Sequence, residues 1–216
     1  MTVSRTILLT SFGAFPGAAQ NPTEAVAALA AGLCARRLQR IGLRLVTAHL
    51  AVVFVAIPRD IAALHAAHKP RAVLHLGLAV SRKTMTPEAR AVNRLSLRHA
   101  DAGGAWAASA VIARGRPGVL TATFPAARLA RILQGTGIDA RVSRNAGSYV
   151  CNQALYLMLL RAPLACQVGF IHLPHPHPLK SGRPSSRAGA RPLLTLRHMA
   201  AGVAACLMAM ARPRGI

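Results

Sequence analysis

Acidic side chains are almost missing from this chain. Glu24, Asp60, Glu88, Asp101 and Asp139 stand against 27 Lys and Arg, for a formal charge of +22. Any carboxylate chemistry must therefore use one of these positions. The charge favours polyanionic partners and says nothing about fold. Aromatics are also few, with five Phe, two Tyr and one Trp. That scarcity, and the lack of an RNP, zinc-finger or basic-helix pattern, argues against specific nucleic-acid recognition. The basic residues are spread singly, as on a solvated face. Salt-dependent nucleic-acid binding stays open as an alternative, resting on charge alone. Cys34, Cys151, Cys166 and Cys206 form no C-x-x-C pair and have no zinc-finger spacing. Scattered cysteines of this kind point to reduced thiols in the cytoplasm. No uninterrupted apolar run of about 18 residues is available to span a membrane. The stretch from Leu193 comes nearest, and Arg197 and His198 interrupt it. At the other end, Arg5, Ile7 to Phe15, and Ala18-Ala19 loosely imitate a signal peptide. Ser11, Gly13 and Pro16 break that run, so a first strand followed by a loop fits better.

What is present suits one domain spanning residues 1–216, with 53% hydrophobic and 15% charged residues. That composition fills a core and argues against disorder. Residues 7–10 read as a short buried strand. Asn21-Pro22-Thr23-Glu24 reads as a helix start, with Asn as N-cap, Pro at the first helical position and Glu three residues after the cap. This helix runs to about Arg40, and Gly42 ends it. Residues 43–50 alternate like a strand, and Pro58 opens a helix that ends near His68. Residues 72–76 form a buried strand stopped by Gly77. Residues 89–97 are compatible with strand, 100–104 with a turn, and 105–120 carry few signals. Helix 125–134, strand 140–143, helix 151–160 and strand 168–173 follow. Residues 176–192 read as a polar, basic loop, and 193–211 as a final helix. Alternating strands and helices predict an α/β sandwich around a largely parallel or mixed sheet.

Three segments carry chemistry. In Ser143-Arg144-Asn145-Ala146-Gly147-Ser148-Tyr149-Val150-Cys151-Asn152, a strand ends, small residues turn, and a cysteine opens a helix. The helix dipole and free N–H groups favour a thiolate there and offer an oxyanion site. On this alone, a buried structural cysteine is the better reading. Gly169-Phe170-Ile171-His172-Leu173-Pro174 places a histidine at the end of a buried strand, where it pairs naturally with such a thiol as base and acid. Glu88, in Met85-Thr86-Pro87-Glu88, is a candidate to orient that histidine; a surface Glu paired with an Arg is the plainer alternative. A metal site at His172, His175 and His177 lacks a standard tetrahedral set, with no cysteine or carboxylate beside it in sequence.

Together these segments resemble the pyroglutamyl peptidase I family of cysteine peptidases. Ser143, Ala146-Gly147, Tyr149 and Val150-Cys151-Asn152 resemble its cysteine segment, and the stretches around His172 and Glu88 its histidine and glutamate segments. Leu8-Leu9-Thr10, Phe12, Phe15, Gly17 and Asn21-Pro22 are similar to its first strand and substrate loop. The resemblance implies a three-layer α/β/α sandwich around a mixed, mostly parallel sheet. It implies a cytoplasmic exopeptidase that removes an N-terminal pyroglutamyl residue through a thioester. Cys151 would be the nucleophile, His172 the base and acid, and Glu88 its orienter. Phe12, Phe15, Tyr149 and Val150 would line the lactam pocket, Asn21 would sit on the substrate loop, and Arg98 near the oxyanion site. The implied partner is a peptide with a blocked N-terminus; no metal, cofactor or membrane is implied, and homotetramers are frequent.

The chain departs from the family at Leu78, where the family has a glutamine, and at Val80, in place of a small residue. Ala89-Arg90, Ser96-Leu97 and Gly13-Ala14 depart as well. Loss of polar readout in the pocket would relax or change specificity. A divergent or weakly active hydrolase of the same fold is therefore a second expectation.

Overall fold

The structure, a computed structural model, describes residues 4–176 and 194–212. Its strands are β1 (Thr6–Phe12), β2 (Arg44–Leu50), β3 (Ala72–Leu78), β4 (Thr86–Pro87), β5 (Arg90–Val92), β6 (Val119–Thr121) and β7 (Gln167–Leu173). The main sheet has the order β2-β1-β3-β7-β4, and β5 pairs with β6 apart from it. The strands from β2 to β7 are parallel, and only β4 runs against its neighbour. This is the mixed, mostly parallel sheet the sequence predicts.

The central strands read as unbroken apolar runs because both of their faces are covered. In β1, Ile7 and Leu9 enter one core while Leu8 and Phe12 enter the other. The helices are α1 (Thr23–Arg40), α2 (Ala56–His68), α3 (Ala126–Gly135), α4 (Val150–Arg161) and α5 (Leu196–Met210). α1, α3 and α5 fill the first core, and α2 and α4 fill the second, which gives three layers. Val26, Ala30, Cys34 and Leu38 recur at helical spacing and form the buried stripe of α1. The start of α1 follows the sequence reading. Asn21 Oδ1 accepts from the Thr23 N–H at 3.1 Å and from its hydroxyl at 2.8 Å, and Pro22 has helical angles. Gly42, at φ +74°, turns the chain into β2.

Several boundaries differ from expectation. β3 does not stop at Gly77 but runs on to Leu78, because both residues stay paired with β7, opposite His172 and Leu173. Residues 140–143 form no strand, only the bridges Met85–Ala140 and Glu88–Ser143, since their partner β4 is too short to carry a ladder. Within 89–97 only Arg90–Val92 is strand. Asn93 then turns the chain, its side-chain amide donating to Ala113 O at 2.7 Å. α5 begins at Leu196 because the Thr195 hydroxyl caps it, accepting from the His198 N–H at 3.3 Å. The basic stretch 177–192, His177 of the suggested metal set, and Leu193 lie outside the described residues.

Candidate active site

The site forms at the carboxyl ends of the parallel strands, where open α/β sheets place their ligand crevices. His172 lies near the end of β7, on the same face as Phe170 and Val168. β4 pairs antiparallel with it, Thr86 opposite His172, and the chain then delivers Glu88 beside the imidazole. The Glu88 N–H donates to Phe170 O at 2.9 Å, fixing the backbone. Glu88 Oε1 lies 2.8 Å from His172 Nδ1; the carboxylate is fully buried and the imidazole 5% exposed. A carboxylate acceptor places the ring proton on Nδ1 and leaves the Nε2 lone pair free.

Arg82 completes this corner, and no sequence reading found it. Its Nη1 donates to Glu88 Oε1 at 2.5 Å and also to the Thr86 hydroxyl. Its Nη2 donates to Ser143 Oγ at 3.2 Å and to Asn145 O at 2.7 Å. One guanidinium thus ties the glutamate to the loop that leads into Cys151. Burial opposes ionisation of Glu88, but His172, Ser143 and Arg82 together hold its pKa below the ordinary 4.5. Burial carries His172 below its ordinary 6.5, with Glu88 working against the shift and Arg82 adding to it. The imidazole is therefore neutral near pH 7 and competent as a base.

Cys151 is the second residue of α4, after an extended Tyr149. The first helical bond runs from the Gln153 N–H to Tyr149 O at 3.0 Å, so the N–H groups ahead of it have no intrahelical partner. Asn152, fully buried, pins the helix start. It accepts from the Val92 N–H at 2.9 Å and donates to Val92 O and Arg94 O at 2.8 and 2.9 Å. The thiol stands hard against β3: a Cβ on Gly77 would lie 2.9 Å from Sγ and 2.7 Å from the Phe170 ring. The helix start favours a thiolate, and burial works against it. Burial, with the Glu88 charge, pushes the Cys151 pKa up to about 12 against the lowering by Arg82 and the Cys151 backbone N–H. A protonated thiol of this kind needs a base at the moment of attack.

Cys151 and His172 line one pocket of about 180 Å³ with Phe12, Phe15, Asn21, Tyr149 and Val150, as well as Val52, Leu78, Val80 and Ala146. Tyr149 is held by its hydroxyl, which donates to Ala100 O at 2.8 Å, and by the Phe54 ring at 5.1 Å. Asn21 borders the pocket, but its amide is largely engaged. Oδ1 takes the two Thr23 bonds, and Nδ2 donates to Gly13 O at 2.8 Å, leaving one amide hydrogen. Arg98 is not in this wall. It is exposed and lines an adjoining groove with His99 and Trp106, because the segment after Leu95 turns outward there. Among the described residues, no group of three or more His, Cys, Asp or Glu side chains is placed to hold a metal. None of the described helices is long and apolar enough to cross a membrane.

A thiol at a helix start, sharing a pocket with an imidazole oriented by a buried carboxylate, is the arrangement of a cysteine hydrolase. Comparison with known proteins narrows the class. The sequence model of the family described as pyroglutamyl peptidase matches residues 5–212, and the chain belongs to that family. A pyrrolidone-carboxylate peptidase of Cupriavidus pinatubonensis is 37% identical over 79% of each chain. One from Pseudomonas fluorescens is 33% identical over 95% of this chain and 92% of its own. The crystal structure of pyrrolidone carboxyl peptidase from Thermus thermophilus superposes with a TM-score of 0.79 at 37% identity, covering 93% of this chain and 98% of that one.

Proposed function

We propose that the chain is a cysteine exopeptidase that removes an N-terminal pyroglutamyl residue from peptides. The observation that carries this reading is that Cys151 and His172 line one small, mainly apolar pocket while buried Glu88 holds Nδ1 of His172 at 2.8 Å. In the proposed reaction the lactam ring enters between Phe12, Phe15, Tyr149 and Val150. As Sγ attacks the acyl carbon, His172 Nε2 takes the thiol proton. The carbonyl oxygen becomes an oxyanion held by the N–H groups at the start of α4. Imidazolium then gives its proton to the leaving amine, and a thioester remains on Cys151. A water, deprotonated by His172, attacks the thioester; pyroglutamate leaves and the thiol regains its proton. Glu88 stabilises the imidazolium formed in both halves.

Family membership favours this reading over nucleic-acid binding. It also carries the finer expectations of a cytoplasmic location and a homotetramer. The test is hydrolysis of a pyroglutamyl arylamide beside its prolyl and cyclopentanecarbonyl counterparts. Release of arylamine chiefly from the pyroglutamyl compound supports the proposal. Faster release from an analogue lacking the lactam amide supports the divergent reading instead, in which Leu78 has replaced polar recognition by apolar contact.

A further inference from the structure

The groove that holds Arg98 has a volume of about 520 Å³ and abuts the acyl pocket, sharing Phe15 and Tyr149 with it. Its remaining wall includes Pro16, His99 and Trp106. Trp106 is 61% exposed, a large apolar ring turned to solvent in a chain with a single tryptophan. The guanidinium of Arg98 makes no ion pair among the described residues. The nearest acid in sequence, Asp101, is fully buried and engaged by the N–H groups of Phe54, Gly103 and Ala105 rather than by Arg98. Because the two share Phe15 and Tyr149, a substrate with its acyl group in the pocket can extend its amine side into the groove.

We infer that this groove binds the residues that follow the pyroglutamyl group, and that Arg98 selects peptides presenting a carboxylate there. The inference rests on the proposed activity and adds its substrate preference. Trp106 supplies a face against which the peptide lies, and Arg98 supplies the charge. The carboxylate has two sources, an acidic side chain or the free C-terminus of a short peptide. Among the described residues, no acid pairs with Arg98.

The experiment compares kcat/KM for two substrate pairs: pGlu-Glu amide against pGlu-Gln amide, and pGlu-Ala acid against pGlu-Ala amide. Wild type should favour the charged member about fivefold, through KM, as befits an exposed ion pair. The preference should shrink as salt is raised. In Arg98→Gln the ratio should fall to about one, while Arg98→Lys retains part of it. A preference in the first pair only assigns the site to an acidic side chain, and in the second only to a C-terminus; either supports the groove. Turnover with no charge preference in wild type, or a preference that survives Arg98→Gln, overturns it while leaving the pyroglutamyl activity intact. No turnover of any member removes that activity and the groove's role together.

Discussion

Two buried histidines project from adjacent parallel strands onto the same face of the sheet, and both touch the Phe170 ring. His75, on β3, lies 5.9 Å from that ring, and His172, on β7, lies 4.6 Å from it. His75 is fully buried, with the Thr10 hydroxyl 2.6 Å from its Nδ1 and no hydrogen-bond partner at Nε2. Burial alone drives its pKa down to about 3, so it is neutral near pH 7. His172 differs in its charged neighbours, above all the Glu88 carboxylate at Nδ1, with Arg82 behind it. The carboxylate fixes the tautomer, opposes the burial shift and will stabilise the imidazolium when it forms. Burial makes an imidazole neutral; only burial beside a carboxylate makes it a useful base.

Glu88→Gln should break the comparison most severely, by giving His172 surroundings like those of His75. We expect kcat/KM to fall by roughly a hundredfold or more. The base must be neutral to act, so activity is lost as pH falls through the His172 pKa. Without Glu88 the burial shift is unopposed, and the acid limb of the pH–kcat/KM profile should move to lower pH. Gly77→Ala tests the space between the two histidine strands. Its new Cβ would crowd Sγ and Phe170, and we expect a loss of activity of about tenfold or more, with about 1–3 kcal/mol of stability. Gly202→Ala in α5, whose Cβ would meet Ile138 at 2.5 Å and Leu133 at 2.8 Å, is the control: thermal unfolding should register it more strongly than catalysis does.

Arg82→Met should have a smaller effect and the opposite sign in pH. Arg82 lowers the His172 pKa, so its removal should move the acid limb to higher pH, with roughly tenfold lower kcat/KM as the loop of residues 143–145 loosens. A limb moving downward would contradict its placement in the electrostatics of the corner. His75→Asn should matter least. It retains a polar atom near Thr10, and we expect kcat within about threefold of wild type and a loss of about 1–2 kcal/mol in denaturant unfolding. A large catalytic defect there would mean the two histidines are not as distinct as their neighbours make them.

Much of this site is legible in the sequence, for local reasons. Asn21-Pro22 announces a helix because cap and first-turn chemistry involve adjacent residues. Cys151 after Ala146-Gly147 announces a helix start in the same way. The partners of those residues are not local. Arg82 was missed because an arginine in a basic chain carries no signal until β4 folds Glu88 and Ser143 around it. Gly77 was read as a strand stop because a glycine's missing Cβ has meaning only when its neighbours in space are known. The helix start that favours a thiolate at Cys151 is visible in sequence, and the burial that opposes it is not. The resemblance puts Arg98 near the oxyanion site; which wall it lines, that of the groove adjoining the acyl pocket, is something sequence spacing does not reveal.

The central claim is that Cys151 is the nucleophile of a pyroglutamyl peptidase, served by His172 and Glu88. Its most direct test is turnover of a pyroglutamyl amide by wild type and by Cys151→Ala at matched, folded concentrations. The account predicts release of pyroglutamate by wild type and a loss of about 10⁴-fold or more in the variant, with unfolding little changed. Undiminished release by Cys151→Ala would contradict it.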